Sequence, residues 1–183
     1  MESSKAPSRG EKTRDALLIA AMDIFGRAGY DAASNRAIAD AAGTNQALIS
    51  YHFGSKRGLY LAVFEHIKQQ MQLRLLPLID TTQKQLATIG VNDADRRVRC
   101  VSGIETLLFA MLDIFTSPGS KTWARLVMRE QQDPSDAFEI LYEGFMQRMI
   151  GTLSQLAGMA EGVDEDNEAN RLRGVFLASQ VIV

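Results

Sequence analysis

The chain has 183 residues, 46% of them hydrophobic and 23% charged, with a net charge of −2. That is long enough for one large or two small domains and apolar enough to bury a core. No apolar run reaches the roughly 18 residues that a membrane span needs. The opening "MESSKAPSRGEKTRD" sets no apolar segment behind its charges, so it is not a secretion signal, and the expectation is a cytoplasmic protein with no membrane partner.

The single cysteine, Cys100, excludes an internal disulfide. It lies among apolar residues at helical spacing and reads as a small core residue, with a redox sensor as the alternative. His52 and His66 stand 14 positions apart with no acidic cluster beside them, so no metal site and no cofactor are expected. Residues 1–58 carry eight Lys/Arg against six Asp/Glu, and residues 59–183 carry twelve against sixteen. This mild asymmetry permits a basic face at the front of the chain.

In chain order the spacing is helical almost throughout, and strand signals are nearly absent, so the fold class is all-α. Leu17, Ala21, Ile24, Phe25 and Ala28 form one stripe, which Gly29 ends. Ser34 is placed to cap a short second helix, Asn35 to Ala42, with Gly43 as its stop. Asn45 is placed to cap a third, from Gln46 to about Phe53, with Phe53 directed to the core and Gly54 closing it. Ser55 caps a fourth, from Lys56 towards Ala87, with Leu59, Val63, Ile67 and Met71 on one face. Pro77 should kink or interrupt that helix. "TIGVNDAD" reads as a loop, Arg96 to Phe115 as a fifth helix, "TSPGSK" as a turn and Trp123 to Gln131 as a sixth. Asp133 is expected to cap a seventh, with Pro134 in its first turn and Phe138, Leu141, Phe145, Met149, Leu153 and Leu156 as its apolar face. "GMAEGVDED" reads as a loop, and a last helix begins near Asn167. "RGVFLASQVIV" is an apolar helical run with no stop signal, so we expect the chain to be cut short inside or just before elements that complete the fold.

Two short helices joined by a tight glycine turn have the spacing of a helix-turn-helix. The second such helix enters a DNA major groove with its leading residues against base edges. Here those residues are Asn45, Gln46 and Ala47; a glutamine bonds adenine with two hydrogen bonds, and an alanine meets a thymine methyl. Ser50, Tyr51 and His52 follow one turn later, in reach of phosphates. Lys56 and Arg57 open the next helix, where free backbone N–H groups also attract a phosphate. The competing reading is that Gln46 and Ser50 are simply solvated.

Residues 12–64 resemble the N-terminal domain of TetR/AcrR-type transcriptional regulators, through "LIAAMDIFGRAGY", "RAIADAAG" and "ISYHFGSKRGLY" in that order and spacing. The resemblance implies a three-helix DNA-binding domain, set here at residues 10–56, and a larger helical ligand-binding and dimerisation domain over 57–183. It implies base contacts at Arg36, Gln46 and Ala47, and backbone contacts at Asn35, Ser50, Tyr51, His52 and Lys56. The family often carries Thr at positions 33 and 35 and an acidic residue at 57; this chain has Ala33, Asn35 and Arg57. "WARLVMREQQDPSDAFEILYEGFM", Trp123 to Met146, is similar to the C-terminal domain of a TetR subgroup that includes CecR-like regulators, whose members commonly run past 200 residues.

A regulator of that kind implies an effector cavity in the second domain. Phe109, Met111, Trp123, Phe138, Tyr142, Phe145, Met146 and Met149 are candidates to line it, with plain core packing as the competing reading. Arg125, Arg129 and Glu130 are the polar candidates, Arg129 pairing either with an anionic ligand or structurally with Glu130 or Asp133. The leading function is therefore a ligand-responsive repressor that binds a palindromic double-stranded DNA operator as a homodimer and answers a small-molecule effector. An activator and a helical protein-binding adaptor stand as alternatives. A small helical enzyme lacks paired acid–base groups, a phosphate loop and a nucleophile elbow.

Overall fold

Ser8 starts the first helix through a capping box: its hydroxyl accepts from the Glu11 N–H, and the Glu11 carboxylate accepts from the Ser8 N–H at 2.6 Å. The helix is α1, Arg9–Ala28, and Gly29 ends it with φ +84°. The computed structural model describes residues 8–90, 93–117, 119–163 and 168–180, and every regular element among them is helical. After α1 come α2 (Asn35–Ala41), α3 (Ala47–Phe53) and α4 (Lys56–Leu86). Then follow α5 (Arg96–Thr116), α6 (Ser120–Gln132), α7 (Asp136–Leu141), a π-helical turn (Tyr142–Met146), α8 (Gln147–Ala160) and α9 (Glu168–Ser179).

The described residues form two compact units. The first holds residues up to Ile67 together with Thr122–Phe138; the second holds Lys68–Lys121 and the residues from Glu139 onward. The division falls inside α4 and again inside α6 and α7. A cut at 56/57 does not include this: residues 122–138, far along the chain, pack with the N-terminal helices.

In the first unit α1 contributes Leu17, Leu18, Ala21 and Phe25, α2 contributes Ile38, and α4 contributes Leu59, Val63 and Phe64, all at most 3% exposed. Rings of Phe25, Tyr30, Tyr60 and Phe64 meet in sequence, with centroids 5.0–6.0 Å apart and Phe25 edge-on to Tyr60. Leu126 and Val127 of α6 and Ala137 of α7 are buried in the same unit. In the second unit α8 packs against α5 and α9. Cys100, Leu107, Met111, Leu141, Phe145, Met149, Leu153 and Leu156 are buried there, so Cys100 is a core residue.

Several expectations change. α4 runs unbroken past Pro77, so the proline does not interrupt it. Pro77 and Leu73, four residues back, are both exposed, and the carbonyl that the ring displaces is free to turn to water. Asp133 does not cap α7. Its N–H still bonds the Arg129 carbonyl and closes α6, while the Ser135 hydroxyl accepts from the Ala137 N–H at 3.2 Å, so Ser135 is the cap and Pro134 precedes the helix. α6 starts at Ser120 and not at Trp123, and the Ser120 hydroxyl donates back to the Phe115 carbonyl at 2.6 Å. Gly158 to Ala160 complete α8 and are not part of a loop. Phe53 is half-buried, outside the buried core, with the Arg14 guanidinium 5.2 Å above its ring. The end of the run "RGVFLASQVIV" lies outside the described residues.

Candidate nucleic-acid interface

Ser34 caps α2 by accepting from the Ala37 N–H at 3.1 Å. The chain then reverses through Gly43 at φ +63°, a left-handed backbone that only glycine adopts without strain. The Thr44 N–H returns to the Ala39 carbonyl at 2.9 Å and fixes the turn. Asn45 follows, and its side-chain oxygen accepts from the Ala47 N–H at 2.8 Å. It therefore does the capping expected of it, although Gln46 stands at the N-cap position and makes no capping bond of its own.

One residue seats α3. Ile49 is fully buried, which is worth about 1.5–3 kcal/mol for a side chain of its size. Leu48, His52 and Phe53 are half-buried around it. That leaves Gln46, Ala47, Ser50 and Tyr51 on the exposed side, Tyr51 at 80%. The Tyr51 ring is edge-on to His52 with centroids 4.9 Å apart. The outward face thus presents one amide, one methyl, one hydroxyl and one phenol, the chemical set that reads base edges and phosphates.

The remaining candidates lie on α2 and at the start of α4, in the same unit. Arg36 is exposed on α2, and its guanidinium lies 3.7 Å from Asp40 one turn on. Asn35 is half-buried, and its side-chain oxygen is buried without a hydrogen bond. A phosphate offers only acceptors, so an Asn35 contact would use its NH₂ or its backbone N–H. The Lys56 ammonium donates to the Asp31 carbonyl at 3.3 Å and sits 4.5 Å over the Tyr30 ring. It keeps two further donors for a phosphate.

Arg57 and Glu130 gain partners that no local pattern announced. Arg57 donates to Asp136 at the start of α7, 79 residues away. Glu130 is 4% exposed and accepts from the Tyr60 hydroxyl at 2.7 Å and from the Ser135 N–H and hydroxyl at 2.8 Å. Burial, reinforced by the bond to Glu130, pushes the Tyr60 phenol well above its ordinary range. Arg14, over the Phe53 ring, is a further cation beside α3 that the spacing did not single out.

The effector candidates fall into different surroundings. Trp123, Arg125, Arg129 and Phe138 belong to the first unit, and Phe109, Met111, Tyr142 and Met146 to the second. Phe109 is 66% exposed, while Met111 is core. Arg129 lies along Gly29, and Glu130 bonds Tyr60 and Ser135 in its place. A cavity of about 390 Å³ in the first unit includes Arg129, and one of about 900 Å³ in the second includes Tyr142. Neither gathers the rest of the set. The larger one combines Leu86, Ile150, Met159 and Val175 with Arg96 and Asn170.

Comparison with known proteins bears on both parts of the chain. The family described as "Bacterial regulatory proteins, tetR family" matches residues 17–63, and the C-terminal domain of the HTH-type transcriptional dual regulator CecR matches residues 103–183. The chain is 27% identical over 174 residues to the dual regulator CecR of Shigella flexneri, covering 95% of this chain and 76% of that one. It is 37% identical over 59 residues to the transcriptional repressor NicS of Pseudomonas putida, covering 32% of this chain and 28% of that one. Among solved structures, HlyIIR, a hemolysin II transcriptional regulator, superposes with a TM-score of 0.61 at 21% identity, over 94% of this chain and 87% of that one, a likeness of fold alone. With a helix-turn-helix domain matched at the front and a CecR-type domain behind it, this protein belongs to the TetR family of transcriptional regulators.

Proposed function

We propose that the protein is a ligand-responsive repressor that binds a palindromic operator as a homodimer. The observation that carries this reading is the division of α3: Ile49 is fully buried while Gln46, Ala47, Ser50 and Tyr51 face outward. Gln46 and Ala47 read bases, joined by Arg36 from α2. Ser50, Tyr51, His52, Lys56 and Asn35 hold phosphates, and Asn45 fixes the start of α3. Two copies place their α3 helices in successive major grooves, roughly 34–36 Å apart.

The effector binds the second unit. The cavity of about 900 Å³ there is of small-molecule size and joins apolar walls to a buried arginine, Arg96, and to Asn170. This lining supports an apolar effector with one polar end better than the candidates singled out from the sequence do. Effector and DNA oppose each other through differential affinity for two states of the protein. The similarity to a dual regulator supports activation at some operators, since the sign of regulation depends on where the operator lies.

Footprinting with a salt titration tests the reading. The expected result is protection of a palindromic site, with affinity falling steeply as salt rises. Absence of any protected site, or affinity indifferent to salt, would overturn it.

A further inference from the structure

We propose that Arg57 is an additional phosphate contact that Asp136 holds away from DNA, so that operator binding and the start of α7 compete for one guanidinium. This rests on the DNA-binding reading above. Arg57 is in the first turn of α4, next to Lys56 and four residues past the end of α3. It therefore stands where the phosphate backbone must pass if Ser50, Tyr51, His52 and Lys56 touch it.

Three features make the ion pair exchangeable. Both side chains are open to water, Arg57 at 59% and Asp136 at 67%, and an ion pair so exposed is weak. A cation in the first turn opposes the helix dipole, so Arg57 gains nothing from its own helix by staying where it is. The guanidinium also borders the cavity of about 390 Å³ lined by Tyr30, Tyr60, Arg129 and Asp133, which leaves it room to swing. Duplex DNA offers a much denser line of negative charge than one carboxylate, and the counterions it releases drive the exchange.

The neighbouring Tyr60–Glu130–Ser135 bonds behave differently. The Tyr60–Glu130 bond is buried and the Glu130–Ser135 bonds are partly so; together they keep residues 130–135 on α4 whether or not Arg57 leaves. Releasing Arg57 therefore frees Asp136 without detaching the connection between α6 and α7.

The test uses the full chain and its footprinted operator, with affinity measured across a salt series for R57Q, D136N, the double variant and D133N. R57Q is expected to weaken binding roughly ten-fold and to flatten the salt dependence by about 0.9 per protomer in the logarithmic slope. D136N is expected to tighten binding roughly two- to five-fold per protomer, the worth of an exposed pair. D136N should have no effect once Arg57 is gone. Arg57 acting only as a brace makes R57Q and D136N weaken binding alike. An equal gain in D133N traces the effect to general charge. Either result overturns the proposal while leaving the DNA-binding reading intact, whereas a wild-type chain that binds no DNA removes that reading itself. Unchanged thermal melting of both single variants, expected from their exposure, ensures that a change in affinity is not a folding defect.

Discussion

The Tyr60 hydroxyl donates to the Glu130 carboxylate at 2.7 Å, and both residues are under 10% exposed. This bond joins the second turn of α4 to the end of α6 within the first unit. A hydrogen bond to a buried charge contributes about 1.5–3 kcal/mol. Tyr60→Phe is expected to lower stability by about that much. Glu130→Ala should cost more, because it also strands the Tyr60 hydroxyl and the Ser135 N–H. Trp123 is the chain's single tryptophan and lies in this unit, so urea unfolding followed by its fluorescence measures both. Equal stability of Tyr60→Phe and wild type would show that the bond contributes nothing net.

The same bond sets a response to alkali. Burial first, then Glu130, raises the Tyr60 pKa above its unfolded value of about 10. The native state therefore holds a proton that the unfolded chain releases. The resulting stability is fully present below about pH 10 and is lost as pH rises towards the folded value. Tyr60→Phe should flatten the fall in stability above about pH 10 and remove the last-appearing tyrosinate absorbance. A wild-type chain whose stability does not fall in that range would contradict this assignment.

Gly26 lies inside α1, where alanine ordinarily improves a helix by roughly 1 kcal/mol. Here a Cβ would stand 2.5 Å from the Thr122 carbonyl oxygen, a backbone atom that has no rotamer to change. Gly26→Ala is therefore expected to destabilise the first unit by about 1–3 kcal/mol, the usual range for overpacking. Thermal melting reads it; a melting temperature that rises would mean α6 does not lie against α1 as described.

On α3, substitutions should separate by face. Gln46→Ala is expected to leave melting unchanged and to reduce discrimination between operator and mismatched DNA by about 1–3 kcal/mol. Tyr51→Ala, at an 80% exposed position, should weaken binding to every sequence alike. Ile49→Ala should instead lose about 2–5 kcal/mol of stability, since its side chain is wholly buried. Competition binding on variant operators together with calorimetry distinguishes the three. A Gln46→Ala protein with unaltered base preference would remove Gln46 from the reading set.

Much of the architecture was legible locally. Ser34, Asn45 and Ser55 accept from backbone N–H groups two or three residues on, so their roles follow from spacing alone. The run Leu59, Val63, Ile67, Met71 repeats every four residues and is buried, as the period of a helix requires. Gly29, Gly43 and Gly54 stand where the chain takes a positive φ. The exposure of Gln46, Ser50 and Tyr51 on α3 was legible for the same reason, whereas His52, grouped with them in the sequence, is half-buried beside Ile49. Capping and periodicity act within one or two turns, and their partners lie inside the window being read.

Only the tertiary structure decided which helices share a unit and which charges meet. Glu130 finds Tyr60 across 70 residues, and Arg57 finds Asp136 across 79. No periodicity carries such pairings, because they arise when distant segments pack and buried polar groups must take whatever donors that packing supplies. For the same reason Phe109, Met111 and Trp123 looked alike as apolar helical residues, yet they are respectively exposed, buried and half-buried. Apolar character shows that a side chain prefers to leave water; the neighbouring helix determines whether it does.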